Sequence, residues 1–319
     1  MNELRRNIII SSQIGGVEPF DINNYLTIVA LEDGLTAALS GNTVEYCVDG
    51  DENWKSLSPN TNTESINKGQ TLSFRGNLTP ASSKGIGRFT ISKSCDLTGN
   101  CNSLLFGDYA KTNKSLSGMD YAFYNLFSNC STIKNVSSHF LPATTLASWC
   151  YYDMFYFCKS LTTAPELPAT TLSSSCYRGM FYNCASLTTA PELPATKLAD
   201  SCYYSMFQNC TSLTTAPALP ATRLTNQCYS GMFGYCTSLT TAPELPATTL
   251  VSYCYGGMFN GCSKLNYIKA LFTTTPSTSY TNYWVKSVAS SGTFVKNKNA
   301  TWNVTGTSGI PSGWTVQTA

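Results

Sequence analysis

The sequence predicts an α/β repeat protein, a solenoid of 26-residue units with a β-rich domain before it and a small β-rich cap after it. Three observations predict this. The stretch "SLTTAPELPATTLSSSCYRGMFYNC" from Ser160 returns almost unchanged from Ser186, Ser212 and Ser238. Cys150, Cys176, Cys202, Cys228 and Cys254 fall 26 residues apart, and Cys158, Cys184, Cys210, Cys236 and Cys262 keep the same step. Within each unit the residues that never change gather on one side of a helical wheel. Periods of about 20–50 residues mark arrays in which no unit buries its own apolar face and stacking supplies the core.

Each unit divides into three pieces. At about 100° per residue, Cys176, Tyr177, Met180, Phe181 and Cys184 cover one arc of a helix, and Arg178, Gly179, Tyr182 and Asn183 cover the other. That pattern predicts an amphipathic helix of two to three turns, with Ser, Thr, Asn or Asp upstream as its N-cap. "SLTTAPEL" is short and β-branched, which predicts a strand whose pairing ends near Pro165, since proline cannot donate to a ladder. "PATTL" turns the chain towards the next helix. Stacked strands sit ~4.8 Å apart and packed helices ~8–10 Å apart, so such a stack curves, strands concave and helices convex. The expected architecture is therefore of the leucine-rich-repeat type. A degenerate copy, "AFYNLFSNC" from Ala122 to Cys130, precedes the strict ones.

On such a helix, two cysteines eight apart lie ~12 Å apart along the axis. They can neither bridge nor share a zinc ion. Equivalent cysteines on neighbouring helices would be ~8–10 Å apart, again too far for a disulfide. The cysteines are expected to be small apolar filler. Cys47, Cys95 and Cys101 lie outside the array, with no pair assigned among them.

The flanks differ in texture. Residues 1–24 are expected to be an N-terminal anchor or tail, with Leu4 and Ile8–Ile10 as its apolar residues. Residues 25–95 carry short alternating stretches between Gly, Asn, Asp and Pro, which predicts an antiparallel β-sandwich. The acidic run Asp49–Asn53 is expected to be a hairpin tip within it. Residues 96–121 form a junction and the first strand of the solenoid, which then occupies 122–271. Residues 272–319 have hairpin texture, and Trp302 and Trp314 are placed to close the open end of the stack, because terminal repeats need caps.

Composition narrows the function. Only 12% of residues are charged, about half the usual ~25%, and Thr, Ser, Asn and Tyr take their place. A formal charge of +2 with no Lys/Arg run lacks the footprint that phosphate binding needs, so no nucleic-acid partner is expected. No stretch reaches the ~18 apolar residues of a membrane helix, so no membrane insertion is expected. "MNELRRNIIISS" falls short of the ~7–15-residue apolar core of a secretory signal, so ordinary export is not expected either.

Catalytic constellations are missing as well. His139 is the lone histidine. Glu166, Glu192 and Glu244 share a column that Ala218 interrupts, and a repeat supplies identical environments where paired carboxylates need distinct ones. "GIGRF" is too short for a dinucleotide fingerprint. The expectation is a non-enzymatic protein with no cofactor and no metal.

The changing positions carry the remaining information. They read Tyr152-Asp153, Arg178-Gly179, Tyr204-Ser205, Ser230-Gly231 and Gly256-Gly257 in one pair of columns. In the other they read Tyr156-Phe157, Tyr182-Asn183, Gln208-Asn209, Gly234-Tyr235 and Asn260-Gly261. Exposed helix positions would favour Ala, Glu, Lys or Arg for stability. Tyr, Ser, Gly, Asn and Asp instead are the vocabulary of paratopes. The candidate ligand-binding residues are Tyr152, Asp153, Tyr156, Arg178, Tyr182, Asn183, Tyr204, Gln208 and Tyr235. The repeated Thr pairs, such as Thr162-Thr163 and Thr188-Thr189, form the competing surface.

"LPATTLSSSCYRGMFYNCASL" resembles the BspA-like leucine-rich repeat family, whose units carry a Pro-containing loop, a small residue plus Phe where this chain has Met-Phe, and then x-x-Cys-x-Ser-Leu. The match covers about 122–271, and "YCVDGDENWKSL" and "GTFVKNKNATWNVTGTSGIPSGWTV" are similar to flanks found around such arrays. The resemblance implies adhesion or host-surface recognition, in surface proteins of gut and oral anaerobes or in tail-associated proteins of their phages. With no export signal, a virion component in the phage tail region is the expected setting, and a bacterial cell-surface adhesin the alternative. A purely structural virion spacer is the third. The implied partners are a host cell-surface glycan or protein, other virion proteins through the N-terminal segment, and further copies of the chain as a homo-oligomer.

Overall fold

Residues 26–99 alternate buried and exposed side chains between turns, and they make seven strands: β1 (Leu26–Ala30), β2 (Ala37–Leu39), β3 (Val44–Val48), β4 (Lys55–Leu57), β5 (Thr71–Arg75), β6 (Phe89–Ile91) and β7 (Cys95–Gly99). In β3, for example, Val44 and Tyr46 are buried while Glu45 faces water. The structure, a computed structural model, describes residues 20–81 and 83–319. The apolar residues Leu4 and Ile8–Ile10 of the expected anchor lie outside that range.

The antiparallel sandwich expected for 25–95 requires correction. One sheet has the order β4-β3-β5-β1-β7-β8, where β8 (Ile133–Val136) already belongs to the repeat region. Its first five strands are antiparallel neighbours, but β8 joins β7 in parallel. Only β2 and β6 stand apart, as a two-stranded ribbon. The edge strand of the N-terminal sheet is thus covered by the array itself, which removes an open edge. The acidic Asp49–Asn53 stretch lies in the β3–β4 connection, where the Asp49 carboxylate accepts from the Thr71 backbone N–H at 2.7 Å.

The α/β repeat is corrected more deeply. No helix forms between Cys150 and Cys262; among the described residues the α-helices are α1 (Ser103–Phe106) and α2 (Thr278–Thr281), four residues each. No closed solenoid of strands and helices results, and a leucine-rich-repeat architecture does not describe this chain. Each expected helix is a ribbon of consecutive β-turns. In 149–158 the N–H groups of Tyr152, Met154, Tyr156 and Cys158 bond to carbonyls three residues back. Those of Trp149, Tyr151, Asp153, Phe155 and Phe157 instead reach the carbonyls of Ser174, Cys176, Arg178, Met180 and Tyr182 in the next unit, at 2.8–3.0 Å. From Tyr151 to Cys158 local and lateral bonds alternate residue by residue, so each of these backbone donors is satisfied.

What selects the ribbon over the helix is the backbone at three positions per unit, the first of them Trp149 with φ of 55°. Asp153 and Phe157 have φ of 53° and 60°, and Gly179/Asn183, Ser205/Asn209, Gly231/Tyr235 and Gly257/Gly261 repeat this pair. Each is the third residue of a four-residue turn, where a type II turn requires positive φ and favours Gly or Asn. Left-handed residues every fourth position cannot belong to an α-helix. Burial follows the same count of four, as two buried, two half-buried: Cys150 and Tyr151, then Tyr152 and Asp153, then Met154 and Phe155, then Tyr156 and Phe157.

The expected strands "SLTTAPEL" reduce to single parallel bridges such as Thr189↔Thr215. Prolines on either side leave too few donors for a longer ladder. With both sides of every unit at hydrogen-bonding distance, the spacing mismatch that would force curvature is gone.

Side chains inside stack in register. Tyr151, Tyr177, Tyr203, Tyr229 and Tyr255 form one ladder with centroids 5.7–6.0 Å apart. Phe127, Phe155, Phe181, Phe207, Phe233 and Phe259 form a second at 5.6–5.9 Å. The hydroxyls of Tyr151, Tyr229 and Tyr255 are buried without a hydrogen-bond partner. Leaving such a donor unmade costs about 1–3 kcal/mol, so ring stacking, not hydroxyl bonding, holds that ladder.

The cysteines are also closer than helix packing would put them, because neighbouring ribbons share backbone hydrogen bonds. All fourteen are buried free thiols. The second column has a bonding role: Cys158, Cys184, Cys210, Cys236 and Cys262 donate Sγ–H to the carbonyls of Phe127, Phe155, Phe181, Phe207 and Phe233 at 2.9–3.2 Å. Burial pushes these thiols well above their ordinary range, which makes them poor nucleophiles.

The stack closes on β9 (Tyr267–Ala270), β10 (Thr293–Lys296) and β11 (Thr315–Thr318), a three-stranded sheet of order β11-β10-β9. The hairpin expected there is replaced by parallel pairing of β10 with both neighbours, so the cap continues the direction of the repeats. Trp284 covers the ends of both ring ladders, 6.3 Å from Tyr255 and Phe259. The indoles of Trp302 and Trp314 donate to Phe272 O and Ala289 O. One hydrophobic core runs from Leu26 to Trp314.

Candidate functional site

The turn ribbons present one face to solvent, and their changing positions fall into two kinds. Asp153, Gly179, Ser205, Gly231 and Gly257, with Phe157, Asn183, Asn209, Tyr235 and Gly261, all have positive φ. Their bias towards Gly, Asn, Asp and Ser answers a backbone demand. It therefore says nothing of a ligand, and the paratope argument loses half its letters. The columns Tyr152, Arg178, Tyr204 and Tyr156, Tyr182, Gln208 are free of that demand. Their identities are unexplained by the backbone.

These free positions make a continuous surface. Arg178 lies between two rings, its Cζ 4.1 Å from the Tyr204 centroid and 5.6 Å from that of Tyr152. Tyr156 stacks on Tyr182 at 5.0 Å and 20°. Gln208 follows Tyr182 in the next unit and leans over Gly234, its Cγ 3.5 Å from where a side chain there would begin. Because the rings stack along the array, they turn edges and phenol oxygens outward and not flat faces. Of the nine candidates, Tyr152, Asp153, Tyr156, Arg178, Tyr182, Tyr204 and Gln208 are brought together across three neighbouring units, with Asn183 at the turn beside Tyr182. Tyr235 is not part of this group. It stands two units on from Tyr182, exposed, and covers Gly261, where a Cβ would lie 2.5 Å from its ring.

Residues missed from the sequence extend the strip. Tyr124 packs on Tyr152 at 5.2 Å, Tyr121 stacks on Trp149 at 4.9 Å and 4°, and Phe157 lies 5.8 Å from Tyr182. The signal for Tyr124 was present: aligning the degenerate copy on Cys130 and Cys158 puts it in the Tyr152 column. Lys159 adds a second cation, its Nζ 5.6 Å from the Phe157 centroid.

Asp153 sits beneath this strip, against the next unit. Its Oδ1 would lie 2.0 Å from a Cβ on Gly179, so glycine there is required both by φ of 59° and by space. Burial raises the Asp153 carboxyl to about 7, partly offset by Arg178. The ordinary value is ~3.9, so the folded protein holds a proton that the unfolded chain releases between about pH 4 and 7. That contribution to stability is present below this window and lost as pH rises through it. Replacing Asp153 by Asn removes the loss, and Asn is suited to the position because Asn125 holds the matching place at φ 57°. Urea melts at pH 4.5 and pH 8 are expected to show D153N more stable than the parent at pH 8, with less dependence on pH. A variant less stable than the parent at pH 8 would contradict this.

The other sequence candidates separate from the strip. The Thr pairs are exposed on a different side, and part of their hydrogen-bonding capacity is used within the array, as when Thr162 Oγ1 donates to Lys134 O at 3.1 Å. His139 is exposed, its Nδ1 3.7 Å from Glu166 Oε2. No group of three or more His, Cys, Asp or Glu placed to hold a metal ion occurs among the described residues. No helix among them is long and apolar enough to cross a membrane. Comparison with protein-family models, curated proteins and solved structures finds no match to this chain.

Proposed function

We propose that this protein is a non-enzymatic recognition module that attaches to a host cell-surface glycan or protein through the turn-ribbon face. The observation that carries the reading is the strip of Tyr124, Tyr152, Arg178 and Tyr204 beside Tyr156 and Tyr182, at positions where backbone geometry leaves the residue free. Tyr and Arg dominate the binding energy of protein surfaces: Tyr offers large area at low entropic cost, and Arg offers a fork of directed donors. The repeat motif's resemblance to surface and phage tail-associated proteins supports a place in the tail region of a virion, as a receptor-binding component. That part of the reading rests on motif and not on architecture. A cell-surface adhesin would use the same face.

The test is the triple variant Y152S/Y182S/Y204S, with binding of purified protein to a panel of gut anaerobes as readout. Loss of binding with an unchanged melting temperature is expected. Binding equal to the parent's would remove this face from the function, and absence of binding by the parent to any cell would favour a structural spacer.

A further inference from the structure

We propose that Arg178 anchors an acidic saccharide, taking a sugar carboxylate in its guanidinium fork while Tyr156, Tyr182, Tyr204 and Gln208 hydrogen-bond the sugar hydroxyls. This rests on the reading of the turn-ribbon face as the attachment surface, and it names the chemical class that face selects.

The guanidinium supplies the first argument. It is half-buried and held between Tyr204 and Tyr152, and among the described residues it makes no ion pair. Arg75 shows the contrast. It too lies on an aromatic ring, 4.2 Å over Trp54, but its donors are spent on Glu45 and Asp108. A weakly hydrated, ring-clamped guanidinium with donors to spare is pre-organised for a planar, two-oxygen acceptor.

Charge supplies the second argument. The nearest carboxyl, Asp153, is turned towards Gly179 and the next ribbon, and its burial disfavours the anion. Lys159 stands on the same face. Around Arg178 the strip therefore attracts anions.

Spacing separates saccharide from peptide. Along the array equivalent rings recur once per unit, at 5.0 Å between Tyr156 and Tyr182 and at 5.6–6.0 Å in the buried ladders. An extended peptide returns a side chain to the same face only every ~6.6 Å, longer than these spacings, and drifts out of step along the array. A chain of sugar rings carries hydroxyls all around each ring and so meets the phenol and amide groups without needing one fixed repeat. The outward-turned ring edges also favour hydroxyl bonding over face stacking, which suits an acidic, hydroxyl-rich sugar better than an apolar one.

The experiment uses the full chain and four probes: tetragalacturonate, its methyl ester, 3′-sialyllactose and lactose. Binding is measured by calorimetry, with cell attachment measured in parallel. At least one acidic probe is expected to bind about tenfold or more tightly than its neutral counterpart, by the strength of a charge-assisted pair. R178Q is expected to erase that preference and R178K, which keeps the charge but not the fork, to retain only part of it, with the melting temperatures of both variants checked against the parent. Equal binding of acidic and neutral probes, or an acid preference that survives in R178Q, overturns the proposal. Cells bound but no acidic probe bound overturns it while leaving attachment standing. Neither cells nor probes bound removes both.

Discussion

Replacing Phe181 by Ala is expected to destabilise the protein by about 3–5 kcal/mol, the range for truncating a buried aromatic residue. Phe181 is fully buried, with Phe155 at 5.7 Å on one side and Phe207 at 5.6 Å on the other. Each aromatic contact adds ~0.5–1.5 kcal/mol beyond area burial, and the substitution removes two. Its backbone carbonyl also accepts the Cys210 thiol at 3.1 Å. Neighbouring units cannot close the gap, because backbone hydrogen bonds above and below fix their separation. Denaturant melts should show the loss as a lower midpoint. Hydrogen exchange should show it first in the 175–183 ribbon and its two neighbours, since a unit in a stack touches only adjacent ones. A cost under about 1 kcal/mol would mean that the ring ladder does not carry the core.

The second large effect is expected in the N-terminal sheet. Gly99 closes β7 with φ of 80°, and a Cβ there would lie 1.8 Å from Tyr25 O and 2.6 Å from Ile22 O. Both obstacles are backbone, so no rotamer change relieves them. Left-handed backbone costs a non-glycine residue ~1–2 kcal/mol, and displacing the Ile22–Asn24 turn adds the loss of Asn100 N–H to Tyr25 O. Gly99→Ala is expected to cost about 3 kcal/mol or more. A lowered melting temperature and faster proteolysis near Tyr25 are the readouts. An unchanged melting temperature would show that the turn has room to move.

Much of this was legible in the residues, and the failure is instructive. The 26-residue period, the buried identity of the constant positions and the side on which the changing ones lie all follow from Cys150 to Cys262 as written. The helix did not follow. Over nine residues, a count of 3.6 and a count of 4 place Cys176, Tyr177, Met180, Phe181 and Cys184 on the same side, so apolar spacing cannot separate them. The distinguishing signal lay in the letters between. Gly179, Asn183, Asn209, Gly231, Gly257 and Gly261 recur where only positive φ explains them. Read as surface vocabulary, they suggested a ligand; read as turn chemistry, they exclude the helix. The site suffered a milder version of the same confusion. Tyr152, Arg178 and Tyr204 stand at positions the backbone leaves free, whereas Asn183 and Asp153 entered the set for a backbone reason. Trp149 and Phe157, both at positive φ against residue preference, had no signature to find.

The lateral bonding pattern has a consequence for how this molecule changes over generations. Every ribbon donates to its successor and accepts from its predecessor through the same backbone atoms, so the hydrogen bonding of a junction does not depend on which units meet. Duplicating or deleting one 26-residue unit within the gene keeps that backbone pattern, and the side-chain limits fall where one unit overlies the next, as Asp153 does Gly179 and Tyr235 does Gly261. Copy number is thus a dial for reach, and shuffling units re-sorts the side chains at the Tyr152 and Tyr156 columns while the buried ladders keep their Tyr and Phe. The outer face of the array can thus be edited by recombination, within the limits those paired positions set.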